Sequence, residues 1–239
     1  MRILMIGDVI GKPGRDAVRA LPPDLKQEKS IDFVICNGEN TAGGYGITAD
    51  TASELLESGV DVLTSGNHIW DKKEIIPLMD GGLPLIRPAN YPDAPGKGYI
   101  HQNGVTVVNL MGRVFMASLD CPFRTADALL ERLREEGQSK VIIVDFHAEA
   151  TSEKQAMGWY LDGRVSAVLG THTHVGTVDA KILPQGTAYL TDVGMTGPSE
   201  SVIGSDKEAV LERFLTSLPN RLSVADGPCM LNAALVEVD

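Results

Sequence analysis

Cysteine is scarce in this sequence, and long apolar runs are missing. The 239 residues include three cysteines, an odd number with no C-x-x-C pair, so we predict small buried thiols and no disulfide framework. No apolar run approaches the roughly 20 residues that a membrane-spanning helix needs, and the first residues turn polar too soon for a signal peptide. We therefore expect a reduced, cytoplasmic protein.

Basic residues are also in short supply. The chain has 21 lysines and arginines against 32 aspartates and glutamates, which gives a formal net charge of −11. A sequence-independent binder of long nucleic acids relies on basic stripes, so we expect no long nucleic acid as a partner. A small phosphate ester is still compatible with this charge, because bound metal cations would invert the field locally.

Strand and helix signals alternate along most of the chain. The exception is residues 82–98, where prolines and glycines predict irregular extended chain. The following pair Asn103-Gly104 predicts a type I′ hairpin. The whole pattern predicts an α/β fold with two mixed sheets packed together and helices outside them. No change in composition marks a boundary, so we expect a single domain over residues 1–239.

Helix and strand boundaries are predicted from caps and periodicity. Thr48 is a suitable first cap of one helix, and Gly59 suits the left-handed conformation that ends it. Further helices are expected over residues 14–29, 72–79, 127–136, 152–161 and 207–217. Strands are expected over residues 2–7, 32–36, 60–64, 99–102, 105–110, 140–145, 164–169, 178–183, 187–190 and 230–238.

Polar side chains directly follow five of the predicted strands. In an α/β sheet the carboxyl ends of neighbouring strands lie along one edge, where ligands bind. Carboxylate, amide and imidazole groups gathered there favour a metal site with room for more than one ion. In chain order the candidates are Asp8, Glu39, Asn40, Asn67, His68, His147, His172 and His174.

His172 and His174 form an H-x-H pair after an apolar run. In extended chain, residues two apart point the same way, so this pair can deliver two imidazoles to one ion or to two adjacent ions. The alternative is a pair of surface or core histidines without a ligand role. The small neighbours Gly170, Thr171 and Thr173 leave room for an ion.

Asn67 and His68 are adjacent, and adjacent side chains in a turn diverge. We therefore expect Asn67 to offer its carbonyl oxygen to an ion, while His68 points toward a substrate and acts as a general acid. The alternative roles are a turn residue or helix cap for Asn67 and a structural histidine for His68.

Asp8, Glu39 and Asn40 supply oxygen donors after the first two strands. A carboxylate such as Glu39 can bridge two cations with its two oxygens, which an amide does less readily. Loop polarity and helix capping are the alternative roles for Glu39 and Asn40. His147 follows another apolar run, and its alternative role is a histidine satisfied within the core.

Four other features receive weaker assignments. Glu149 and Glu153 are interpreted as first-turn charges of a helix. Arg113 is a candidate phosphate or partner contact, with an ordinary surface arginine as the alternative. The glycine-containing segments 42–46 and 192–198 are candidates for movement near the cleft.

Three common nucleotide-binding or catalytic motifs are missing. Residues 7–14 lack the spacing of a phosphate-binding P-loop, and residues 43–46 do not form G-x-G-x-x-G. No G-x-S-x-G sequence provides the nucleophile of a serine hydrolase. These classes of enzyme are therefore not expected.

Together, the polar segments resemble the calcineurin-like metallophosphoesterase superfamily, whose pattern runs D-x-H, G-D-x-x-D, G-N-H-[DE], a lone His and G-H-x-H. Residues 66–68 (GNH), His147 and residues 172–174 (HTH) match the last three blocks in order. Residues 8–10 (DVI) lack the second ligand of the first block, and residues 37–40 (NGEN) replace the second block. Both departures are typical of one branch, the YmdB-like phosphodiesterases of bacteria, and the similarity to that branch runs through the whole chain.

This resemblance implies a four-layer α/β/β/α sandwich with a dinuclear metal centre, usually of iron or manganese. One ion would take Asp8, Glu39, Asn40 and His174. The other would take Glu39, Asn67, His147 and His172, so that Glu39 bridges the two, and His68 would be the uncoordinated acid. The implied activity is hydrolysis of small phosphodiesters, with 2′,3′-cyclic nucleotides as the favoured class.

Two other functions are compatible with the sequence. One is a regulatory protein that binds a nucleotide and hydrolyses it slowly, and the other is a phosphomonoesterase or nuclease. Comparing a diester, a monoester and an RNA strand as substrates would separate these functions. We expect no membrane partner, and general considerations of symmetry favour a homo-oligomer.

Overall fold

A computed structural model describes residues 1–20, 26, 28–138 and 140–239 of the protein. The strands are β1 (Arg2–Ile6), β2 (Asp8–Val9), β3 (Phe33–Asn37), β4 (Val62–Thr64), β5 (Tyr99–Gln102), β6 (Val105–Met111), β7 (Ile142–His147), β8 (Ala167–Thr171), β9 (Lys181–Ile182), β10 (Ala188–Leu190), β11 (Met195–Pro198), β12 (Cys229–Met230) and β13 (Ala233–Glu237). The helices are α1 (Gly11–Arg19), α2 (Ala49–Glu57), a 3₁₀ helix (Lys73–Leu78), α3 (Pro122–Glu135), α4 (Thr151–Leu161) and α5 (Lys207–Thr216).

Two large mixed sheets form the centre of the molecule. One has the order β13-β1-β3-β4, in which β1, β3 and β4 are parallel and β13 is antiparallel. The other has the order β5-β6-β7-β8-β10-β9, with four parallel central strands and an antiparallel strand at each edge. A small third sheet, β12-β11-β2, pairs the N-terminal region with the C-terminal region.

Three apolar cores show how the layers stack. The central core lies between the sheets and joins Ile3 and Ile35 to Val107 and Ile143. A second core packs the four-stranded sheet against α1, α2 and the 3₁₀ helix. A third core packs the six-stranded sheet against α3 and α4. Since strands alternate their side chains between two faces, each sheet has a helical layer on one face and the other sheet on its second face. The predicted four-layer α/β/β/α sandwich is confirmed.

Local signals in the sequence correspond well to the observed turns and caps. The Thr48 side chain accepts a hydrogen bond from the backbone N–H of Thr51, as an N-cap does. Gly59 has a φ of 92°, the left-handed conformation expected after the helix. Asn103 and Gly104 have φ values of 51° and 81°, which confirms the type I′ hairpin.

Several predicted elements differ from the structure. The helix expected over 14–29 starts at Gly11 and is described to Arg19, and its later part includes residues 21–25 and 27, which lie outside the described residues. The helix expected over 72–79 is a 3₁₀ helix that contains Pro77, consistent with the lost donor of a proline. The strand expected over 230–238 is divided between β12 and β13.

Two short strands were missed, β2 and β11, which pair with each other. Their pairing joins distant parts of the chain, so no local periodicity indicates it. The prediction of buried thiols holds for Cys36, but it is wrong for Cys229, which is exposed, and Cys121 is only partly buried. Within the described part of the chain, no helix has the length and apolar character needed to cross a membrane.

Candidate metal centre

The predicted donors meet at the carboxyl ends of parallel strands. Glu39 and Asn40 follow β3, Asn67 follows β4, His147 ends β7, and the H-x-H pair follows β8. Asp8 begins β2, directly after β1. Gly66 makes the approach possible, because a Cβ there would collide with Nε2 of His147 and Oε2 of Glu39.

The first donor group surrounds Nε2 of His147. That nitrogen lies 3.0 Å from Oδ1 of Asn67, 3.0 Å from Nδ1 of His172 and 3.1 Å from Oε1 of Glu39. Glu39 and His147 are completely buried. Donors roughly 3 Å apart are spaced as neighbouring ligands of an ion with bonds of about 2.1 Å.

The hydrogen bonds around this group direct the N–H of each neutral histidine ring away from the centre of the group. The hydroxyl of Thr171 donates to Asp145 at 2.7 Å, so it accepts from Nδ1 of His147 at 2.9 Å. Nε2 of His172 lies 3.1 Å from Oε2 of Glu149, which places a proton on that nitrogen and a lone pair on Nδ1. With both rings neutral, four lone pairs would face one another, an arrangement that requires a positive charge between them, either a proton or a cation.

The pKa values agree with this requirement. Burial alone would raise the pKa of Glu39, but the charge of His147 and its hydrogen bond lower it to about 2. Burial opposes a charge on His147, yet Glu39 raises the pKa of that ring to about 9. Burial, and then the charge of His147, lower the pKa of His172 to about 3. The buried pair of Glu39 and His147 thus favours a positive charge at the place where a metal ion would bind, and these donors fit a cation.

The second donor group contains Asp8, Asn40 and His174 and is more open. Nε2 of His174 lies 3.2 Å from Nδ2 of Asn40 and 3.9 Å from Oδ1 of Asp8. Asp8 is completely buried, and its Oδ1 makes no hydrogen bond to any described residue. Burial raises the pKa of Asp8. An unpartnered buried carboxylate oxygen beside an imidazole also fits a cation.

Asn40 differs from its expected orientation. Its amide nitrogen, and not its carbonyl oxygen, lies 3.3 Å from Oε1 of Glu39 and faces His174. A ligand role for Asn40 therefore needs the amide to turn over, so that its oxygen faces the ion instead.

The two histidines of the H-x-H pair reach different donor groups. His172 and His174 have φ values of 97° and 65°, so the chain is not extended here and the expected common direction was wrong. His172 contacts His147, whereas Nδ1 of His174 donates to the carbonyl oxygen of Ile203 at 2.9 Å. The turned backbone distributes one imidazole to each group.

A buried ion pair supports this turned segment. The ammonium of Lys154 pairs with Asp192, and it also donates to the carbonyl oxygen of Thr171 at 2.7 Å. Asp192 in turn accepts from the backbone and the hydroxyl of Thr173. Because both charged side chains are buried and paired, the strained conformation of the H-x-H segment is held from below.

His68 lies beside the donor groups and outside them. Its backbone N–H donates to Oε2 of Glu39 at 3.0 Å, while its ring turns away, as adjacent residues in a turn do. Nδ1 of the ring lies 2.8 Å from Oδ2 of Asp71. The ring of Tyr45 contacts the His68 ring edge-on, with centroids 5.1 Å apart. Asp71 leaves Nε2 as the ring nitrogen available to a ligand.

A cavity of about 500 Å³ opens beside both donor groups. Glu39, Asn40, His68, Glu149, His172 and His174 line one side of it. The rest of the lining is mainly apolar, with Arg213 as a charged member, and its apolar residues are Ile10, Val202, Ile203, Val210, Phe214, Leu222 and Val224. The donor groups therefore face a space with one polar side and one apolar side, as small-molecule sites commonly do.

The weaker assignments have mixed outcomes. Glu153 does lie in the first turn of α4, and its buried carboxylate accepts from the backbone of Arg113. Glu149 precedes that helix, so its assignment was wrong. Tyr45, within segment 42–46, lines the cavity, whereas residues 192–198 hold buried Asp192 and strand β11, which argues against a mobile loop.

Sequence reasoning missed three residues that support the site. They are Glu149, which contacts His172, and Lys154 and Asp145, which both contact Thr171. Burial raises the pKa of Asp145 to about 6, so it is still an acceptor at neutral pH. Only Asp145 had a signal, since a charged residue in an apolar strand two positions before His147 shares its face of the strand.

The chain is similar to known proteins along nearly its whole length. A family model described as "YmdB-like protein" matches residues 4–239. The chain is 52% identical over 244 residues to the 2′,3′-cyclic-nucleotide 2′-phosphodiesterase of Bacillus subtilis (strain 168), covering 100% of this chain and 92% of that protein.

Two solved structures share the fold along nearly the whole chain. A hypothetical protein from Thermus thermophilus superimposes with a TM-score of 0.89 at 45% identity, over 98% of each chain. A protein described as a novel phosphatase of Mycoplasma pneumoniae superimposes with a TM-score of 0.90 at 34% identity, over 98% of this chain and 86% of that one.

Proposed function

The chain belongs to the YmdB-like family, and on that premise we propose that it is a metal-dependent phosphodiesterase that hydrolyses 2′,3′-cyclic nucleotides. The predicted family is confirmed by the match along the chain. The observation that carries the proposal is the first donor group, where three atoms with lone pairs lie 3.0–3.1 Å from Nε2 of buried His147. The name of the Bacillus subtilis relative supports the substrate class.

Two ions, of iron or manganese, are proposed for the two donor groups, because mixed oxygen and nitrogen donors suit these metals. Asp8, Glu39, Asn40 and His174 would hold one ion, and Glu39, Asn67, His147 and His172 would hold the other. When bound, such ions supply a nucleophile at neutral pH and neutralise charge on the phosphate. Glu39 is proposed as the bridge, since it contacts His147 through Oε1 and lies next to Asn40.

His68 is proposed as the general acid. Its ring lines the cavity, and Asp71 accepts the hydrogen of Nδ1, so the Nε2 hydrogen is directed to a ligand. The protonated ring donates to the ribose oxygen as the bond from that oxygen to phosphorus breaks. Because His68 lies outside the donor groups, this step does not require it to leave a metal.

The apolar side of the cavity is proposed to hold the nucleobase. Ile203, Phe214 and Val224 offer surfaces on which a base can pack. The phosphate then lies against the donor groups on the polar side, so that the cavity orients the cyclic ester toward both donor groups. The single domain, the cytoplasmic location and the homo-oligomer stay predictions.

The test is release of adenosine monophosphate from 2′,3′-cyclic AMP by manganese-loaded protein, with metal content measured in the same sample. We expect turnover well above that of free manganese, with one isomer of the product, 2′ or 3′, in large excess. A phosphomonoester and an RNA strand serve as comparison substrates. Two bound ions without turnover of the cyclic nucleotide would contradict the proposal and favour a regulatory nucleotide-binding protein.

A further inference from the structure

A second cavity of about 580 Å³ lies beside the first. The two share the lining residues Tyr45, Arg213, Leu222, Ser223 and Val224. The ring of Tyr45, which contacts His68, therefore stands between the metal-donor side and the second cavity. A ligand held at the donors and longer than a nucleoside would extend into this second space.

The second cavity is basic, unlike the chain as a whole. Lys72, Arg213 and Arg221 line it together, in a protein whose net charge is −11. None of these three side chains makes an ion pair with a residue that the structure describes. Other cations close to the site are paired, such as Arg15 with Glu54.

The remaining lining of this cavity is suited to an anion. Its other polar side chains are Tyr45, Asn220 and Ser223, and none of its described lining residues is a carboxylate; behind the lining, Nδ2 of Asn220 donates to Oε2 of Glu212 at 3.1 Å. Gly43 adds backbone without a side chain, and a Cβ there would meet nothing within 4 Å. Unpaired arginines with planar donor groups recognise phosphate well, and a lysine adds a compact charge.

We propose that this basic cavity binds a second phosphate, attached to the 5′ oxygen of the same ribose whose cyclic phosphate reacts. The preferred substrate is thus a nucleoside 2′,3′-cyclic phosphate with a 5′-phosphate, which is either a terminal group or the internucleotide phosphate at the 3′ end of a short RNA. This inference rests on the proposed function and names its substrate class more narrowly. It also adds a short RNA end to the small phosphodiesters expected from the sequence.

The chemistry of such ends places the enzyme after a particular class of reaction. When a ribonuclease cleaves RNA by internal transfer, the 2′ oxygen attacks phosphorus, the bond to the next 5′ oxygen breaks, and that oxygen takes a proton. The upstream fragment keeps a 2′,3′-cyclic phosphate and the phosphates on its 5′ side. A site for both phosphate groups would act on the short products of that cleavage.

The test compares three substrates with manganese-loaded protein. They are adenosine 2′,3′-cyclic phosphate, the same compound with a 5′-phosphate, and the dinucleotide ApA that ends in a 2′,3′-cyclic phosphate. We expect kcat/KM to be roughly tenfold higher for the forms with a second phosphate, as one well-placed charged contact provides. This preference should decrease as ionic strength rises. The larger of the two gains identifies the source of the second phosphate.

Variants locate the effect. Lys72 and Arg221 line the second cavity and not the first. Lys72→Ala and Arg221→Ala should therefore each reduce the preference for substrates with a second phosphate severalfold. Lys73→Ala is the matched control. Lys73 is next to Lys72 in sequence and carries the same charge, but its side chain does not line the cavity. Circular dichroism verifies that each variant is folded.

Two results would overturn the inference. Equal kcat/KM for the three substrates, with cyclic AMP still hydrolysed, would refute the second phosphate site and leave the proposed function intact. If no cyclic nucleotide is hydrolysed, the proposed function fails. The second phosphate site is then tested by measuring the binding of nucleotides with one and with two phosphates. Calorimetry would compare adenosine 3′,5′-bisphosphate with adenosine 3′-monophosphate, and equal affinities would refute a second phosphate site.

Discussion

The two sides of the active cavity are built in different ways. The donor side is buried, it belongs to the ends of parallel strands, and its atoms are fixed by hydrogen bonds from a second layer of residues such as Asp145 and Glu149. The apolar lining comes largely from α5 and the segments on either side of it, and part of it is open to solvent, with Phe214 79% exposed. The difference indicates that the proposed chemistry depends on buried, hydrogen-bonded donors, whereas the proposed substrate selection depends on a more exposed apolar lining.

The largest effect should follow from changing Glu39 on the donor side. Glu39→Gln removes the charge that both donor groups share, so we expect the protein to lose bound metal and turnover to fall roughly 1000-fold. Metal analysis by mass spectrometry and kcat on cyclic AMP check this. Glu57→Gln, an exposed change at the end of α2, is the control. Full metal content in Glu39→Gln would show that Glu39 is not a ligand.

Replacing His68 should separate acid catalysis from metal binding. We expect His68→Ala to lower kcat by about 100-fold or more while the metal content stays that of the wild type. A diester with a weakly basic leaving group, bis(4-nitrophenyl) phosphate, needs no proton on departure, so its hydrolysis should fall far less. Equal losses on both substrates would contradict the acid role.

A change in Glu149, which supports the donor His172, should have an intermediate effect. Glu149 holds Nε2 of His172, so Glu149→Ala should weaken metal binding by about 10- to 100-fold. Glu149→Gln keeps an acceptor and should retain much of the affinity. Metal titration of the metal-free protein measures both, and an unchanged affinity in Glu149→Ala would remove Glu149 from the support of the site.

The smallest effect should come from the apolar lining of the cavity, because a change there leaves the metal donors intact. Phe214→Ala removes a surface for the base, and we expect KM for cyclic AMP to rise about tenfold, as loss of one stacking contact does. The neighbouring Leu215 is 85% exposed and does not line the cavity, so Leu215→Ala is the control. A change in kcat or metal content instead of KM would break the division between the two sides.

The same division decides what the sequence could predict. The parallel strands carry apolar runs that end in polar residues, so the resemblance and the strand ends together indicated the donors. The direction of each side chain was less accessible, because His172 and His174 adopt left-handed backbone conformations that no periodicity shows. The supports Lys154 and Asp192 lie 38 residues apart in sequence and meet only in the folded chain.

The basic second cavity was not predicted at all. Lys72, Arg213 and Arg221 are ordinary cations in the sequence, and their common place depends on how α5 and residues 220–224 pack beside segment 42–46. Short strands β2 and β11 were missed for the same reason, since each is defined by its partner. Sequence patterns report local periodicity, whereas these features come from contacts between distant segments.

The position of β1 has a consequence for the order in which the enzyme becomes active. β1 lies between β3 and β13, and Gly7, just before Asp8, donates its backbone N–H to the carbonyl oxygen of Asn232. A ribosome produces Asp8 long before the segment 232–237, because the two are far apart in the sequence. Because long-range strand pairing forms slowly, the nascent chain waits with one edge of β1 open. We therefore expect hydrolysis to begin only after synthesis has passed residue 237.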